Sequence, residues 1–491
     1  MSNKEEEHQV EDSFAPEVEG LSGEHREYLI ARHGTYELDP VPAMSDLDPL
    51  NWSSSKKFIN LALVAFHAMM ATFTASAIQS AFVNIAEDLN VSIQRTSYLT
   101  SLVIAILGGA PLFWRPVAHV YGRRPVFLIS LICSLICNVG CGLCHSYGTM
   151  GLCRALTAFF ISPAASIGSG VVSEMFFKKQ RARCMGAWTT MVTLGVPIAP
   201  FLFGFAVVRV GYRWIYWTLA ITNGVQFILY FFLGSETRYI DHTVGQEAPR
   251  SYFGRLLHFR RIDPTPLRAY DFIQPLVLGR FACIAIPAAA YAMIFLWGSV
   301  MITIEIPQLY PEQFGFNSQQ IGYQFAAVII GTVLGEQVGG LLSDKWMWAG
   351  RKRSGGHKDP EPEYRLWLSY IGHALTIAGV VVFLVQTERI GENYNVTPIV
   401  GAAIAAAGNQ IVTTVLITYA VDCYRSEAAG VGVFIIFVRQ IWGFIGPFWF
   451  PQLIDEVGLK DSAAVAAGMM IAVSVIPTIL LQWKGNSWRR D

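Results

Sequence analysis

The sequence predicts an all-α membrane protein with twelve transmembrane helices, arranged as two halves of six helices each. Hydrophobic residues make up 53% of the 491 positions and charged residues 15%, whereas soluble domains carry about a quarter charged residues. The apolar residues come in blocks that are long enough to cross a bilayer core of about 30 Å. Backbone groups in that core must bond one another, and the strands of a membrane barrel would be about 10 residues long with alternating polarity. The blocks are therefore predicted to be helices.

The order of the elements follows from the polar segments that separate the apolar blocks. Residues 1–55 are polar and acidic without apolar periodicity, and we predict a disordered cytosolic tail there. One six-helix half covers 56–234 and the other covers 276–483, with a second cytosolic tail at 484–491. The polar and basic connection 235–275 is predicted to be a cytosolic loop between the halves. The predicted spans, numbered 1 to 12, are 58–79, 97–118, 125–144, 148–174, 184–208, 214–234, 276–304, 319–343, 366–386, 398–420, 429–450 and 463–482. Two similar halves of this kind are typical of transporters.

The distribution of basic residues predicts the orientation in the membrane, because cytosolic loops carry an excess of Lys and Arg. With the N-terminus in the cytosol, the outer loops hold five of the 36 Lys and Arg residues, namely Arg95, Arg209, Arg213, Arg389 and Lys460. An odd number of spans would destroy this asymmetry, so the charges support twelve spans independently of hydropathy. Both termini are then cytosolic. Two sequons, at Asn90 and Asn395, fall on the outer side and are glycosylation candidates.

A basic glycine turn joins spans 2 and 3. Its basic and glycine members are Arg115, His119, Gly122, Arg123 and Arg124. The string resembles the signature loop of the major facilitator superfamily, in which arginines beside a glycine turn bind helix carbonyls and a nearby carboxylate. Arg115 stands where that family has Gly, and His119 stands where it has an acidic residue. The equivalent turn of the second half keeps both, as Gly340 and Asp344. The resemblance implies that these turns hold the halves together on the cytosolic side when a carrier faces outward, with an altered first copy and an intact second copy.

The fifth predicted span carries small residues and prolines at set positions. They are Gly186, Gly195, Pro197, Pro200 and Gly204. This pattern is similar to the one that marks the drug/proton antiporter branch of the superfamily, in which small residues let the helix approach a helix of the other half and prolines bend it. The string from Asp48 to Trp52 looks like fungal members of that branch, and the string from Ser235 to Tyr239 resembles its polyamine and cation permeases. The resemblance covers roughly residues 45–485. It implies the major facilitator fold and a secondary carrier rather than an enzyme.

Polar residues within the spans are costly to bury, so they are the candidates for a solute or proton pathway. They are His67, Arg154, Tyr291, Glu305, Glu336, Asn409, Gln410, Arg439 and Gln440. Glu336 and Arg439 are expected to pair, either as a static ion pair or as a proton-coupled switch. Arg154 is either a buried tether or a coupling residue. Glu305, toward the outer end of span 7, is either a group that binds a cationic solute or a solvated rim charge.

The leading hypothesis is proton-coupled efflux of a small amphipathic molecule, such as a drug or secondary metabolite, by alternating access at the plasma membrane. The alternative is proton-driven uptake of polyamines or other organic cations, and a transport-like nutrient sensor comes third. An ATP-driven pump is disfavoured because the sequence contains no Gly-x-x-x-x-Gly-Lys-Ser/Thr phosphate loop. We expect no metal and no cofactor, the proton gradient being the energy source. The expected partners are the lipid bilayer and a small-molecule substrate, with no nucleic acid, for a carrier that works as a monomer.

Overall fold

Within the residues that the structure describes, twelve helices are long and apolar enough to cross a membrane. The structure is a computed structural model that describes residues 21–240, 261–353, 360–391, 393–424 and 427–489. The spans, numbered as above, are Ser54–Leu89, Ile93–Tyr121, Arg123–Leu143, Tyr147–Met175, Arg183–Val210, Arg213–Leu233, Ala282–Phe314, Ser318–Arg353, Pro362–Ile390, Thr397–Cys423, Ala428–Phe448 and Phe450–Trp488. The predicted all-α fold with twelve membrane helices is confirmed.

Several spans contain a break in regular α-helical geometry. In the first half, the segments are Ser54–Ser76, the 3₁₀ turn Gln79–Ala81 and Phe82–Leu89 in span 1, and Tyr147–Ile161 and Pro163–Met175 in span 4. In the second half, they are Ala282–Phe295, the π-helical turn Leu296–Met301 and Ile302–Phe314 in span 7; the 3₁₀ helix Pro362–Leu368 and Ser369–Ile390 in span 9; and Ala428–Ile445 and the 3₁₀ turn Gly446–Phe448 in span 11. Span 12 consists of Phe450–Met470, which is kinked at Gly458, the π-helical turn Ile471–Val475 and Ile476–Trp488. The helix of span 5 begins before the span, at Lys178. Turns of π-helix are frequent at functional sites.

The prediction of a disordered N-terminal tail is wrong for the part of the tail that the structure describes. A helix spans Gly23–His33, and the side chain of Ser22 accepts a hydrogen bond from a backbone N–H of its first turn. Leu29 is buried, and the ring of His33 meets that of Phe177 edge-on at 5.4 Å. The helix is stabilised by docking on the first half rather than by an apolar face of its own, so periodicity did not reveal it. Residues 1–20 lie outside the described part.

The connection between the halves also contains regular structure. A helix spans Ala269–Val277, and a 3₁₀ turn Leu278–Arg280 leads into span 7. A further 3₁₀ turn, Pro49–Asn51, precedes span 1. Residues 241–260 of the predicted loop lie outside the described part.

The spans pack as two groups of six that meet along two pairs of helices. Spans 1 to 6 contact one another, as do spans 7 to 12, and the main contacts between the groups join span 2 with span 11 and span 5 with span 8. Each pair combines the second helix of one half with the fifth helix of the other. The two halves are therefore related by an approximate two-fold arrangement, and the space between these pairs lies on its axis.

The two faces of the molecule differ in how tightly the halves close. We call the face with the tails and the central connection the terminal face, and the other the opposite face. At the opposite face, Ser318 Oγ donates a hydrogen bond of 2.7 Å to Asn84 Oδ1. The rings of Tyr98 and Phe448 stack there with centroids 4.5 Å apart. These contacts tie span 1 to span 8 and span 2 to span 11, so the opposite face is closed.

Spans 5 and 8 separate toward the terminal face. A Cβ atom added to Gly204 would lie 3.0 Å from the Cα atom of Gly322, so the two helix backbones touch there. Gly186 and Gly340 lie 18 residues from Gly204 and Gly322 respectively, which is about five turns along the same helix face. Apart from the neighbouring backbone of the helix itself, no atom of the described residues lies within 4 Å of a Cβ added to either residue, so both face open space. Spans 5 and 8 therefore touch at the opposite face and part at the terminal face.

Candidate functional site

A cavity with a volume of about 110 Å³ lies between the two halves. Seven spans line it: spans 1, 2 and 5 of the first half and spans 7, 8, 10 and 11 of the second. Its walls combine aliphatic and aromatic side chains with hydroxyl and amide groups, which is the usual composition of a small-molecule site. Arg439 is the one charged side chain among the described residues that line it.

Arg439 reaches the cavity from span 11 and packs against two aromatic rings of span 7. Its Nη1 donates a hydrogen bond of 2.9 Å to the hydroxyl of Tyr291. Its guanidinium carbon lies 4.5 Å from the ring centroid of Phe295 and 5.6 Å from that of Tyr291. Cation–π contacts hold such a group in place without neutralising its charge. No carboxylate in the described part of the chain forms an ion pair with it.

Several polar atoms of the cavity residues have no hydrogen-bond partner within the described structure. They are Gln79 Oε1, Thr100 Oγ1, Asn409 Oδ1, Arg439 Nε and Gln440 Oε1. A buried polar atom without a partner costs about 1–3 kcal/mol, and native proteins leave few of them. Both halves contribute to this set, which indicates a site with unused capacity to bind a polar group of a ligand.

Five of the nine residues predicted for a solute or proton pathway line this cavity. They are Tyr291, Asn409, Gln410, Arg439 and Gln440. Sequence reasoning missed Gln79 and Thr100, although a glutamine inside an apolar span is the same kind of signal as Asn409. The π-helical turn of span 7 begins one residue after Phe295 and provides Gly298 and Ser299 to the wall. The break in span 7 therefore belongs to the site.

His67 lies away from the cavity lining. Its Nε2 lies 3.0 Å from Ser130 Oγ of span 3, and its ring meets Phe127 at a centroid distance of 5.5 Å. The imidazole is fully buried inside the first half. In this structure it is a packing group between spans 1 and 3.

Arg154 ties span 4 to spans 1 and 2. Its Nε donates to the carbonyl oxygen of Leu99, and its Nη2 donates to that of Ala75, each at 3.3 Å. Ala75 itself lines the cavity, so the guanidinium sits behind the cavity wall. Backbone carbonyls, rather than an acidic side chain, balance this buried charge within the described structure.

Glu336 pairs with an amide, and the predicted ion pair between Glu336 and Arg439 is wrong for this structure. Gln410 Nε2 lies 3.4 Å from Glu336 Oε2. A Cβ atom added to the preceding residue, Gly335, would lie 2.7 Å from the Cα atom of Ala407, so span 8 presses against span 10 here. That packing places Glu336 beside span 10, whereas Arg439 on span 11 is held by span 7. Glu336 thus adjoins the cavity through Gln410.

Glu305 is buried, so the prediction of a solvated rim charge is wrong. Its exposed fraction is 1%, because span 7 continues as a helix to Phe314 instead of ending at residue 304. The amide of Gln308 donates to its Oε1 at 3.3 Å. Glu305 does not line the cavity and lies behind it, toward the opposite face.

The glycine turn between spans 2 and 3 is built around a carboxylate that sequence reasoning missed. Gly122 has a φ of 96°, and an added Cβ would lie 2.5 Å from Glu236 Oε2. Only glycine combines that backbone conformation with so close an approach. The backbone N–H groups of Arg123 and Arg124 each donate to Glu236 at 2.9 Å. Burial raises the pKa of the Glu236 carboxyl, and these backbone donors oppose the rise.

Arg123 and Arg124 of this turn act within the first half. Arg123 forms an ion pair of 2.8 Å with Glu174 of span 4, and Arg124 donates to the carbonyl of Gly234 at 2.9 Å. His119 lies 3.5 Å from Asp263. Since span 3 is bound to spans 4 and 6 in this way, the turn fastens one half together on the terminal face.

Arg115 is the member of the turn that reaches the other half. A Cβ atom added to Gly430 of span 11 would lie 3.7 Å from Arg115 Nη1 and 3.6 Å from Glu427 Oε2. The residue that replaces the family's glycine therefore lies beside a carboxylate of the second half. In the second copy of the turn, Gly340 faces open space, and the side chain of Asp344 lies outside the described residues.

Gly195, Gly204 and the two prolines of span 5 lie against span 1, against span 8 or at the cavity. A Cβ on Gly195 would lie 2.6 Å from the carbonyl oxygen of Met69 in span 1 of the same half, while Gly204 touches span 8 of the other half. The expected approach to the other half thus holds for Gly204 and is wrong for Gly195. Pro197 lines the cavity, and the carbonyl oxygen of Pro200 lies 3.0 Å from a Cβ added to Gly322.

The two sequon asparagines lie on the opposite face. Asn90 ends the helix Phe82–Leu89 in a left-handed conformation, and Asn395 precedes span 10 with its Oδ1 accepting from the N–H of Thr397 at 2.8 Å. Both side chains are exposed. Their glycosylation stays a prediction.

Two six-helix halves around a central cavity that is closed at one face define a membrane transporter. The sequence profile of the Major Facilitator Superfamily matches residues 62–447, and the chain belongs to this superfamily. Among its relatives, the "Efflux pump radE" of Floropilus chiversii is 24% identical over 460 residues, covering 89% of this chain and 82% of that protein. The "Probable drug/proton antiporter YHK8" of Saccharomyces cerevisiae is 26% identical over 443 residues, covering 87% and 84%. An "Uncharacterized transporter C1529.01" of Schizosaccharomyces pombe is 24% identical over 462 residues, covering 90% and 91%.

Proposed function

We propose that this transporter is a proton-coupled exporter of a small amphipathic molecule, a drug or a secondary metabolite, that works as a monomer by alternating access. The observation that carries the proposal is the central cavity, which both halves line and which a contact between spans 5 and 8 closes at one face. A carrier needs such a site to meet one side of the membrane at a time. The names of two relatives, an efflux pump and a probable drug/proton antiporter, support the direction and the coupling.

The proposed orientation places the terminal face in the cytosol and the carrier in the plasma membrane. The basic residues of the central connection support this orientation, because cytosolic loops carry the excess of Lys and Arg. In this orientation the structure corresponds to an inward-facing carrier. The alternative, uptake of polyamines, has less support, because no carboxylate belongs to the described lining of the cavity.

Proteoliposomes test the proposal. The purified full chain is reconstituted with an imposed pH gradient, and transport of a fluorescent panel is followed: dansylglycine, dansylamide and dansylcadaverine, which share one ring system and differ in charge. We expect at least one dye to move against its gradient only when protons flow in the opposite direction. Liposomes without protein, and gradient-collapsed liposomes treated with a protonophore, are the controls. Equal movement of every dye with and without the pH gradient would show that the carrier is not proton-coupled.

A further inference from the structure

We infer that the transported molecule is an organic acid, whose anionic group binds Arg439 while its apolar part contacts the aromatic and aliphatic walls. The inference rests on the proposed function, since it names the substrate class of the same cavity. It departs from the cationic substrates that the resemblance to polyamine permeases implies.

The charge of the cavity is the first ground. Arg439 is the one charged group of the described lining, and its recorded contacts are the hydroxyl of Tyr291 and the rings of Phe295 and Tyr291. None of these neutralises a guanidinium. An uncompensated cation away from bulk water attracts an anion and repels a second cation over several ångströms. The cavity therefore disfavours an organic ammonium ion.

The donors of Arg439 are the second ground. Its Nη1 is bonded to Tyr291, whereas its Nε is buried without a partner, and no hydrogen bond from Nη2 is recorded among the described residues. The edge formed by Nε and Nη2 presents two parallel N–H groups, which is the geometry that binds a carboxylate through both oxygens. Because Nη1 is already bonded to Tyr291, a ligand that binds through both oxygens meets this edge.

Two amides that line the same cavity as Arg439 are the third ground. Gln440 and Asn409 are 7% and 6% exposed, and each has a side-chain oxygen without a partner. The orientation of an amide group is assigned from its hydrogen bonds, and a rotated amide offers N–H donors in place of the oxygen. With an acidic ligand bound, the Gln440 amide can turn its N–H donors toward the ligand's oxygens, whereas the amide nitrogen of Asn409 already donates to Gln410 Oε1 at 3.4 Å. The lining thus suits an acceptor-rich group at this point.

The carboxylates near the cavity are arranged consistently with an anionic ligand. Glu336 is held at Gln410 with an N–O distance of 3.4 Å, and Glu305 is buried behind the wall. Neither belongs to the lining. A carboxylate in the lining would favour ammonium groups, and the described lining contains none.

Binding in nanodiscs, without any gradient, tests the inference separately from the proposed function. The intrinsic fluorescence of the dansyl group reports binding of dansylglycine, dansylamide and dansylcadaverine to the purified full chain. We expect dansylglycine to bind about tenfold or more tightly than dansylcadaverine, with dansylamide between them, since one charge-assisted hydrogen-bond pair accounts for such a ratio.

The matched variants locate the effect. Arg439→Gln should weaken dansylglycine binding about tenfold or more and leave dansylcadaverine binding the same or tighter. Arg439→Lys keeps the charge and should retain the preference for the anion. Arg209→Gln removes an exposed arginine of span 5 and serves as the control.

If Arg439→Gln does not fold, the order in which the wild-type chain and Arg439→Lys bind the three dyes decides whether the cavity prefers an anion. Binding of dansylcadaverine as tightly as dansylglycine, or an unchanged preference in a folded Arg439→Gln, would overturn the inference even if the chain proves to be a proton-coupled carrier.

Discussion

At the scale of single residues, two buried arginines differ in how far the protein satisfies their hydrogen-bond donors. Arg154 is balanced by the carbonyl oxygens of Leu99 and Ala75, whereas Arg439 has aromatic contacts and an unused donor edge. A charge that is fully satisfied by the protein stabilises the fold, and a charge that is only partly satisfied retains binding capacity for a ligand. We therefore assign Arg154 to the architecture of the first half and Arg439 to the substrate.

The proposed coupling to protons needs a carboxylate that contacts the cavity and exchanges with water. Glu336 meets both conditions better than Glu305, because it is partly exposed and contacts the cavity residue Gln410, while Glu305 is 1% exposed. We expect Glu336→Gln to reduce gradient-driven dye accumulation in proteoliposomes to the level seen without a gradient. Dye binding in nanodiscs should stay within about twofold, since Glu336 is not part of the lining and a binding change of that size is below 0.5 kcal/mol.

Glu305→Gln is the matched comparison for this prediction. The same change of carboxylate to amide at the buried position should leave the dependence on the pH gradient in place. Loss of coupling in Glu305→Gln together with normal coupling in Glu336→Gln would exchange the two roles and contradict the assignment.

The sequence predicted at what depth in the membrane the polar residues of the site lie, but it did not predict which neighbouring helix each side chain faces. A polar side chain in an apolar block marks a costly group, and this signal led to Asn409, Gln440 and Arg439 in the cavity. The same signal led to His67, which faces span 3 instead. Hydropathy gives the position of a residue along the membrane normal, whereas the neighbour it faces depends on how the helices are packed around each other. The contact of Glu336 with Gln410 also depends on how the helices are packed around each other.

At the scale of helices, glycines decide which faces come together. Gly331, Gly335 and Gly339 are spaced four residues apart on span 8, and a Cβ on each would lie within 3.2 Å of an atom of span 10. Membrane helices approach closely through such small residues because lipid supplies no hydrophobic drive for their association. The contact fixes span 8 to span 10 within the second half, so span 8 moves with that half when it leaves span 5.

The contact between Gly204 and Gly322 should control closure of the opposite face. Gly204→Val adds two methyl groups where an added Cβ already lies 2.7 Å from the carbonyl oxygen of Ser318, so spans 5 and 8 cannot close there. We expect the carrier to shift toward an outward-open state. A cysteine placed at Ser76, which lines the cavity, should then react faster with a membrane-impermeant maleimide added on the side of the opposite face.

Gly186→Val is the matched control for this prediction. It makes the same substitution on the same face of the same helix, at a position with no atom within 4 Å of an added Cβ. Maleimide labelling of the parent protein without the Ser76 cysteine accounts for the native cysteines. Equal labelling of the Gly204 and Gly186 variants would show that this contact does not control the opposite face.

The helix count could be predicted from the sequence, whereas the helix breaks could not. Hydropathy and charge asymmetry identified twelve spans, because the bilayer imposes length and polarity on each of them. The π-helical turn at Leu296–Met301 and the helical continuation through Glu305 depend on packing between helices. The hydropathy prediction ended span 7 just before the charged residue Glu305, although this side chain is buried inside the protein. The helix Gly23–His33 was not predicted, because the contacts that stabilise it come from other parts of the chain.

At the scale of the whole molecule, the two halves are packed groups of six helices that are joined by two helix pairs. Spans 2 and 11 touch near both faces, at Tyr98 with Phe448 and at Arg115 beside Gly430. Spans 5 and 8 touch near the opposite face and separate near the terminal face. Alternating access then amounts to rocking of one half against the other, which opens the opposite face as the terminal face closes.

A covalent link across the closed face should stop this motion. Asn84 Oδ1 and Ser318 Oγ lie 2.7 Å apart, so cysteines at the two positions have side chains close enough to be joined by an oxidant or a short bifunctional thiol reagent. If the halves must separate here during each cycle, the linked Asn84→Cys/Ser318→Cys protein should keep dye binding from the terminal face and lose transport in proteoliposomes. Reduction of the link should restore transport.

Each single variant, treated identically, reports any effect of the native cysteines and should keep its transport. Transport at an undiminished rate by the fully linked protein would mean that the opposite face opens elsewhere, and that rocking of whole halves about the central cavity is not the transport motion.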